Sequence, residues 1–232
     1  MENKVGVGIQ GGIQNAKTLE SASALASLHI ETNIWRQWFY FGLRGQFGLG
    51  QAWLKNHGQD SAKMATYDDI GVRFALGMPI NAAFSHTPSI ALSEPVFLYL
   101  LLGVGLNDYA YSVNAPSQKR NAVGLGIAGI HRLSDEWNLE YALEYGYIYN
   151  GAYKFSHQAL STKESIKMGS NSHELRLSLG LTQRKEYGFY TRLSGIYRAL
   201  DSTPISQSPA YPQSTQAIGM LEVGMSLGSV GL

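Results

Sequence analysis

The chain has no cysteine, which excludes disulfides and thiolate metal sites and leaves the compartment open. It is also poor in charge: Asp, Glu, Lys and Arg make up 15% of 232 residues, against about 25% in an average soluble domain. Such a chain has little surface suited to water. Long apolar runs are missing too. The longest nearly continuous one, residues 96–106 (VFLYLLLGVGL), falls well short of the ~18–20 residues that a helix needs to cross a bilayer, so no transmembrane helix is expected. Basic patches are absent: Lys and Arg are scattered and the formal net charge is +1, so no nucleic-acid partner is expected. The opening residues, MENKVGVGIQ, carry neither a basic segment nor an apolar core. The expectation is therefore a mature exported form without a signal peptide.

What the chain does have is alternation. In residues 132–149, RLSDEWNLEYALEYGYIY, the outer set Trp137, Leu139, Tyr141, Leu143, Tyr145 and Tyr147 alternates with Asn138, Glu140, Ala142, Glu144 and Gly146. Before the Ser-Asp-Glu turn, Val123, Leu125 and Ile127 alternate with Gly124, Gly126 and Ala128. A period of two gives each strand one apolar face and one small or polar face. The same plan recurs at Val5, Val7 and Ile9; Ala26, Leu28 and Ile30; Phe39 to Leu49; Ile70 to Met78; Leu98 to Leu106; Leu175 to Leu181; Phe189 to Tyr197; and Leu221 to Leu227. Mean hydropathy, -0.12, hides this pattern because the two faces average out.

About ten strands result, each close to the ~9–11 residues of a tilted membrane-spanning strand; eight is the count if two weak strands are misread. Short connections near Asn33, Ser134 and Arg184 alternate with long polar ones near Ala16, Gly58, Ala115, Ser161 and Pro209. The polar stretches 15–23, 54–66 and 150–171 read as loops, and the connector 81–95 is long for its side. The expected fold is all-β: a transmembrane antiparallel up-and-down barrel, one domain over residues 1–232, in the bacterial outer membrane.

Alternation alone also suits a soluble barrel with an apolar core. Lysine placement separates the two readings. Every Lys falls in an expected loop or at a strand end, whereas Arg44, Arg73, Arg176 and Arg192 lie inside strands on the polar face. Arginine's planar fork can hold two carboxylates at once, and Glu31, Asp69, Glu140, Glu144, Glu174 and Glu222 share that face. These ten residues are expected to form a lumen ion-pair network. Aromatic girdles are expected at Tyr109, Tyr111, Tyr147, Tyr149 and Tyr153 beside the long loops, and at Trp38, Phe39, Trp137, Tyr187 and Phe189 beside the short turns.

The segment LSDEWNLEYALEYGY resembles the periplasmic turn and following strand of small outer-membrane barrels of the OmpA, OmpX and NspA-like group. Ten strands would make size and count similar to the Opc adhesins or the omptin proteases. Against the resemblance, the chain ends GSVGL, without the terminal aromatic residue usual in those groups.

Chemistry is harder to find. An omptin-like site needs paired acids and an Asp-His pair at the outer rim; Asp68-Asp69 with His57, His157 or His173 are the candidates. A lipid A acyl-modifying site needs Ser and His facing the outer leaflet, as in Ser85-His86 or Ser172-His173-Glu174. Adjacent acids and loop histidines are more often simply solvated, and the histidines lack metal-ligand spacing. No catalytic residue, cofactor or metal is therefore expected. The expected function is a surface, adhesion or envelope structural protein acting through extracellular loops, with outer-membrane lipid, lipopolysaccharide and host or envelope proteins as partners. The alternatives are a rim-site hydrolase acting on lipid A or peptides and a narrow ion-conducting channel.

Overall fold

The structure is a computed structural model and describes residues 1–17, 19–36, 39–56, 59–76, 96–109, 116–156, 163–204 and 211–228. Its strands are β1 (Glu2–Ala16), β2 (Leu19–Arg36), β3 (Phe39–Asn56), β4 (Gln59–Leu76), β5 (Val96–Tyr109), β6 (Ser117–Arg132), β7 (Trp137–Ser156), β8 (Lys163–Lys167), β9 (His173–Gln183), β10 (Tyr187–Leu200) and β11 (Ser214–Leu227). Each pairs antiparallel with its neighbour, and β1 closes the ring on β11. The strip β8 extends β9: Met168 N–H donates to Gly151 O at 2.9 Å and Ile148 N–H to Ser172 O at 2.9 Å, both across to β7. The result is a closed ten-strand up-and-down barrel, so the ring itself has no free edge.

Its faces are inverted relative to a soluble protein. Val7, Ile9, Leu177 and Leu193 point outward and are 58–68% exposed, while Lys4, Arg198 and Glu144 point inward and are 0–2% exposed. In water such a surface would aggregate; in hydrocarbon it is the low-energy arrangement. The alternating apolar set is the lipid face and the barrel spans a membrane.

The strands are longer than a bilayer requires. With 18 residues each, β2, β3 and β4 run about 60 Å along their length, roughly twice the hydrocarbon thickness. The surplus lies at the end away from the termini, where outward residues become Glu20, Gln51, Lys55, Lys119 and Lys167, all exposed. This corrects three expectations. Most of stretches 15–23 and 54–66 is strand, as are 150–156 and Lys163–Lys167 within 150–171. The outer face changes from apolar to polar there because water replaces lipid, while cross-strand pairing continues. The inward series Ser21, Leu25, Ala52 and Leu54 keeps its phase, and that collar is packed like an ordinary soluble barrel.

Lysine is not confined to loops and strand ends either, since Lys4 is sealed in the lumen. The register shifts between Asn121 and Ala122, whose partners are Asn150 and Ile148. The extra residue flips the phase of β7. Tyr153 consequently faces inward and is fully buried, whereas Tyr147 and Tyr149 remain outside. Trp38, Tyr111 and residues 77–95, which include the whole connector, lie outside the described residues.

Candidate functional site

The lumen holds a continuous ladder of opposite charges. Nearest the termini, Lys4 pairs with Glu140 and lies 3.2 Å from Glu2, while Arg192 pairs with Glu31. His29 Nδ1 sits 3.3 Å from Glu222, which also accepts the Tyr190 hydroxyl. Halfway along, Arg73 bridges Glu31 at 3.0 Å and Glu144 at 2.7 Å, and Arg176 meets Asp69 at 2.6 Å and Glu144 at 3.5 Å. Arg44 lies 3.5 Å from both Asp69 and Glu144. Farther out, Arg120 is 3.3 Å from Asp69 and 3.7 Å from Glu174, and Arg198 is 3.1 Å from Glu174.

All ten residues singled out on the polar face lie in this ladder. Lys4, Glu2, Arg120 and Arg198 join them. Each is in phase with its strand's inward set; Lys4 reads as a strand end, and Arg120 as part of the long polar connection near Ala115, when only an apolar outer face marks a strand. Among the described residues, Lys4, Arg44, Arg73, Arg120, Arg176, Arg192 and Arg198 match Glu2, Glu31, Asp69, Glu140, Glu144, Glu174 and Glu222 one for one. Glycine makes room for these side chains: a Cβ at Gly105 would collide with the Arg120 guanidinium and one at Gly126 with the Tyr99 ring.

Uncharged side chains pack at both ends of the ladder. At the inner end Trp35 stacks on Tyr40, with ring centroids 4.1 Å apart, and Phe97 and Tyr99 pack beside them. At the outer end Gln216 donates to Gln14 at 3.0 Å and to Gln118 at 2.6 Å. Above that layer Tyr153, Phe155, Ile166, Met168, Leu200 and Tyr211 form an apolar cluster inside the collar. This arrangement can resist permeation.

The rim candidates separate. Asp69 is 3% exposed in mid-lumen, and Asp68, its neighbour in the same strand, faces the opposite way. Adjacent strand residues cannot share a face. Likewise Ser172 and Glu174 are buried on the inner side of β9's start, with Ser172 Oγ accepting from Asp201 N–H at 2.9 Å, while His173 lies on the outer side. His57, His157 and Ser85-His86 lie outside the described residues. What His173 does have is a different pair of partners: Tyr145 Oη at 2.6 Å from Nδ1 and Asn171 Oδ1 at 2.9 Å from Nε2. Asn171 fixes the proton on Nε2, leaving Nδ1 to accept from the phenol. No grouping of metal-ligating side chains occurs among the described residues.

No family model and no curated protein matches the sequence. Among solved structures, the outer membrane protease OmpT from Escherichia coli aligns over 98% of this chain and 96% of its own, with a TM-score of 0.58 and 9% identity. The chain has the fold of the outer-membrane β-barrels. Two further solved structures are similar at lower scores. The transport unit of the autotransporter AIDA-I from Escherichia coli gives a TM-score of 0.43 at 9% identity, over 96% of this chain and 89% of that one. Ail of Yersinia pestis gives 0.36 at 10% identity, over 97% and 98%.

Proposed function

We propose that this outer-membrane barrel is a sealed scaffold that presents its water-exposed collar to partners outside the cell, as a surface or adhesion protein or as a structural element of the envelope. The observation that carries this reading is the lumen: a charge-matched ladder with uncharged side chains packed at both ends, surmounted by strands that continue well past the apolar belt. A barrel of this size has an interior that side chains can fill, so the accessible chemistry lies on the collar. Outer-membrane lipid and lipopolysaccharide surround the belt, and host or envelope proteins are the partners this reading assigns to the collar.

Two measurements test it. Purified protein in planar bilayers should give no stable conductance steps; reproducible steps in the unmodified chain would mean a channel. Cells displaying the protein should lose binding to host-cell surfaces or envelope partners when Lys55, Lys119 and Lys167 are replaced by Glu. Unchanged binding would remove the collar from the account.

A second reading, hydrolysis at the outer rim, has one observation in its favour, the Tyr145–His173–Asn171 relay. The OmpT neighbour is an outer membrane protease, but no acid among the residues described above faces His173. Peptide and lipid A cleavage should therefore be undetectable; activity lost on His173→Ala would establish the second reading.

A further inference from the structure

The outer face of the collar gathers cations around a small residue. On β7, Ala152 stands opposite Lys119 of β6 on one side and Lys167 of β8 on the other. Lys154, farther along β7, shares that face; Lys119 and Lys167 are exposed and Lys154 is half-buried. Adjacent strands lie about 4.8 Å apart, so Lys119 and Lys167 are rooted roughly 10 Å from one another. Between them the Ala152 methyl leaves a notch. Among the described residues none of these lysines pairs with an acid. On this sector β6 has no acid, β7 turns Glu140 and Glu144 into the lumen, and Asp201, beyond β8, accepts from Asn171 N–H at 3.1 Å and Ser202 N–H at 2.8 Å. Lys55, by contrast, stands opposite Glu20.

Below the lysines the same face changes in steps. Asn121 stands opposite Asn150, and Asn171 is exposed nearby, held by its side chain to His173. Next come Tyr147 and Tyr145, whose rings lie 5.6 Å and 5.7 Å from that of His173. Leu143 and Leu177, opposite one another, then begin the apolar belt. Tyrosine favours the membrane–water boundary, so the lysines sit at the height of the head groups. From outside inward the layers are cationic, amide, aromatic and aliphatic.

We propose that Lys119, Lys154 and Lys167 hold a phosphate of one outer-leaflet lipopolysaccharide, with its sugars over the asparagines and its acyl chains along the tyrosines and leucines. The inference rests on the reading that the collar lies outside the cell. A phosphate oxygen takes charge-assisted hydrogen bonds from ammonium groups, and lysine's flexible stem lets several converge on a single anion. The order of the layers is the order of groups in a phosphorylated glycolipid. An acidic protein could meet the lysines alone, but it has no use for the amide and aromatic steps beneath them, and the patch is continuous with the belt along which lipid arrives.

The full chain, refolded in detergent, is titrated with bisphosphoryl lipid A, and the complexes are counted by native mass spectrometry. A single lipid A should be retained per barrel. Lys119→Gln/Lys154→Gln/Lys167→Gln, which should keep heat-modifiable migration, should weaken retention about tenfold or more. Removing the phosphates from lipid A should do the same to the unmodified chain. Lys17→Gln/Lys55→Gln/Lys63→Gln, an equal change of charge at exposed positions on another sector, should leave retention unchanged. Equal loss in the two triple variants would reduce the effect to bulk attraction, full retention of dephosphorylated lipid A would remove the phosphate, and displacement by inorganic phosphate as effective as by lipid A would make this a free-anion site; each would overturn the proposal. No host or envelope partner enters the measurement, so a failed adhesion assay leaves its result intact.

Discussion

Replacing Asp69 by Asn is the sharpest probe of the lumen. Asp69 is 3% exposed and faces three guanidiniums, Arg176 at 2.6 Å, Arg120 at 3.3 Å and Arg44 at 3.5 Å. Asparagine keeps the shape and removes the charge, leaving a surplus cation where water cannot reach it. Breaking a buried pair from one side costs about 3–5 kcal/mol, and because three cations share this acid the upper half of that range is expected. Urea unfolding of the refolded barrel, followed by tryptophan fluorescence and gel mobility, reads the loss. Adding Arg120→Gln to Asp69→Asn removes one cation and should recover more than half of it, since coupled neighbours are strongly non-additive. A loss below about 1 kcal/mol, the scale of exposed ion pairs, would mean that the lumen is wet. It would refute the sealed scaffold and favour the channel.

Other perturbations probe the remaining layers. Leu102→Arg, on the lipid face of β5 and 56% exposed, should destabilise the barrel in vesicles by about 2–4 kcal/mol, whereas a soluble barrel would tolerate it. Gly126→Val should force the Tyr99 ring aside at about 1–3 kcal/mol, measured by the same unfolding assay. Leu200→Ala, at 1% exposure in the collar cluster, should cost about 2–5 kcal/mol and open the collar to protease before the membrane-embedded part unfolds.

Alternation made most of the architecture legible. A period of two needs no tertiary information, so Val5 to Ile9 or Leu175 to Leu181 announce a lipid face locally. Arginine within that pattern marked the lumen: Arg44, Arg73, Arg176 and Arg192 were readable because lipid excludes charge from the other face. The collar was not readable in the same way. Glu20 and Lys55 look like loop residues when the only test for a strand is an apolar outer face. The phase flip in β7 also escaped, because a one-residue bulge leaves no composition signal, and so Tyr153 passed for a girdle residue.

By itself the order of side chains determined that this is a membrane-spanning barrel and which face carries charge, since both follow from alternation along single strands. Only closure of the ring decided which charges meet, since partners such as Lys4 and Glu140 or Arg176 and Asp69 lie far apart in the chain and become neighbours across the lumen. The lysine cluster shows the same limit on the outer wall: Lys119, Lys154 and Lys167 are ordinary singly, and register across β6, β7 and β8 gathers them around Ala152.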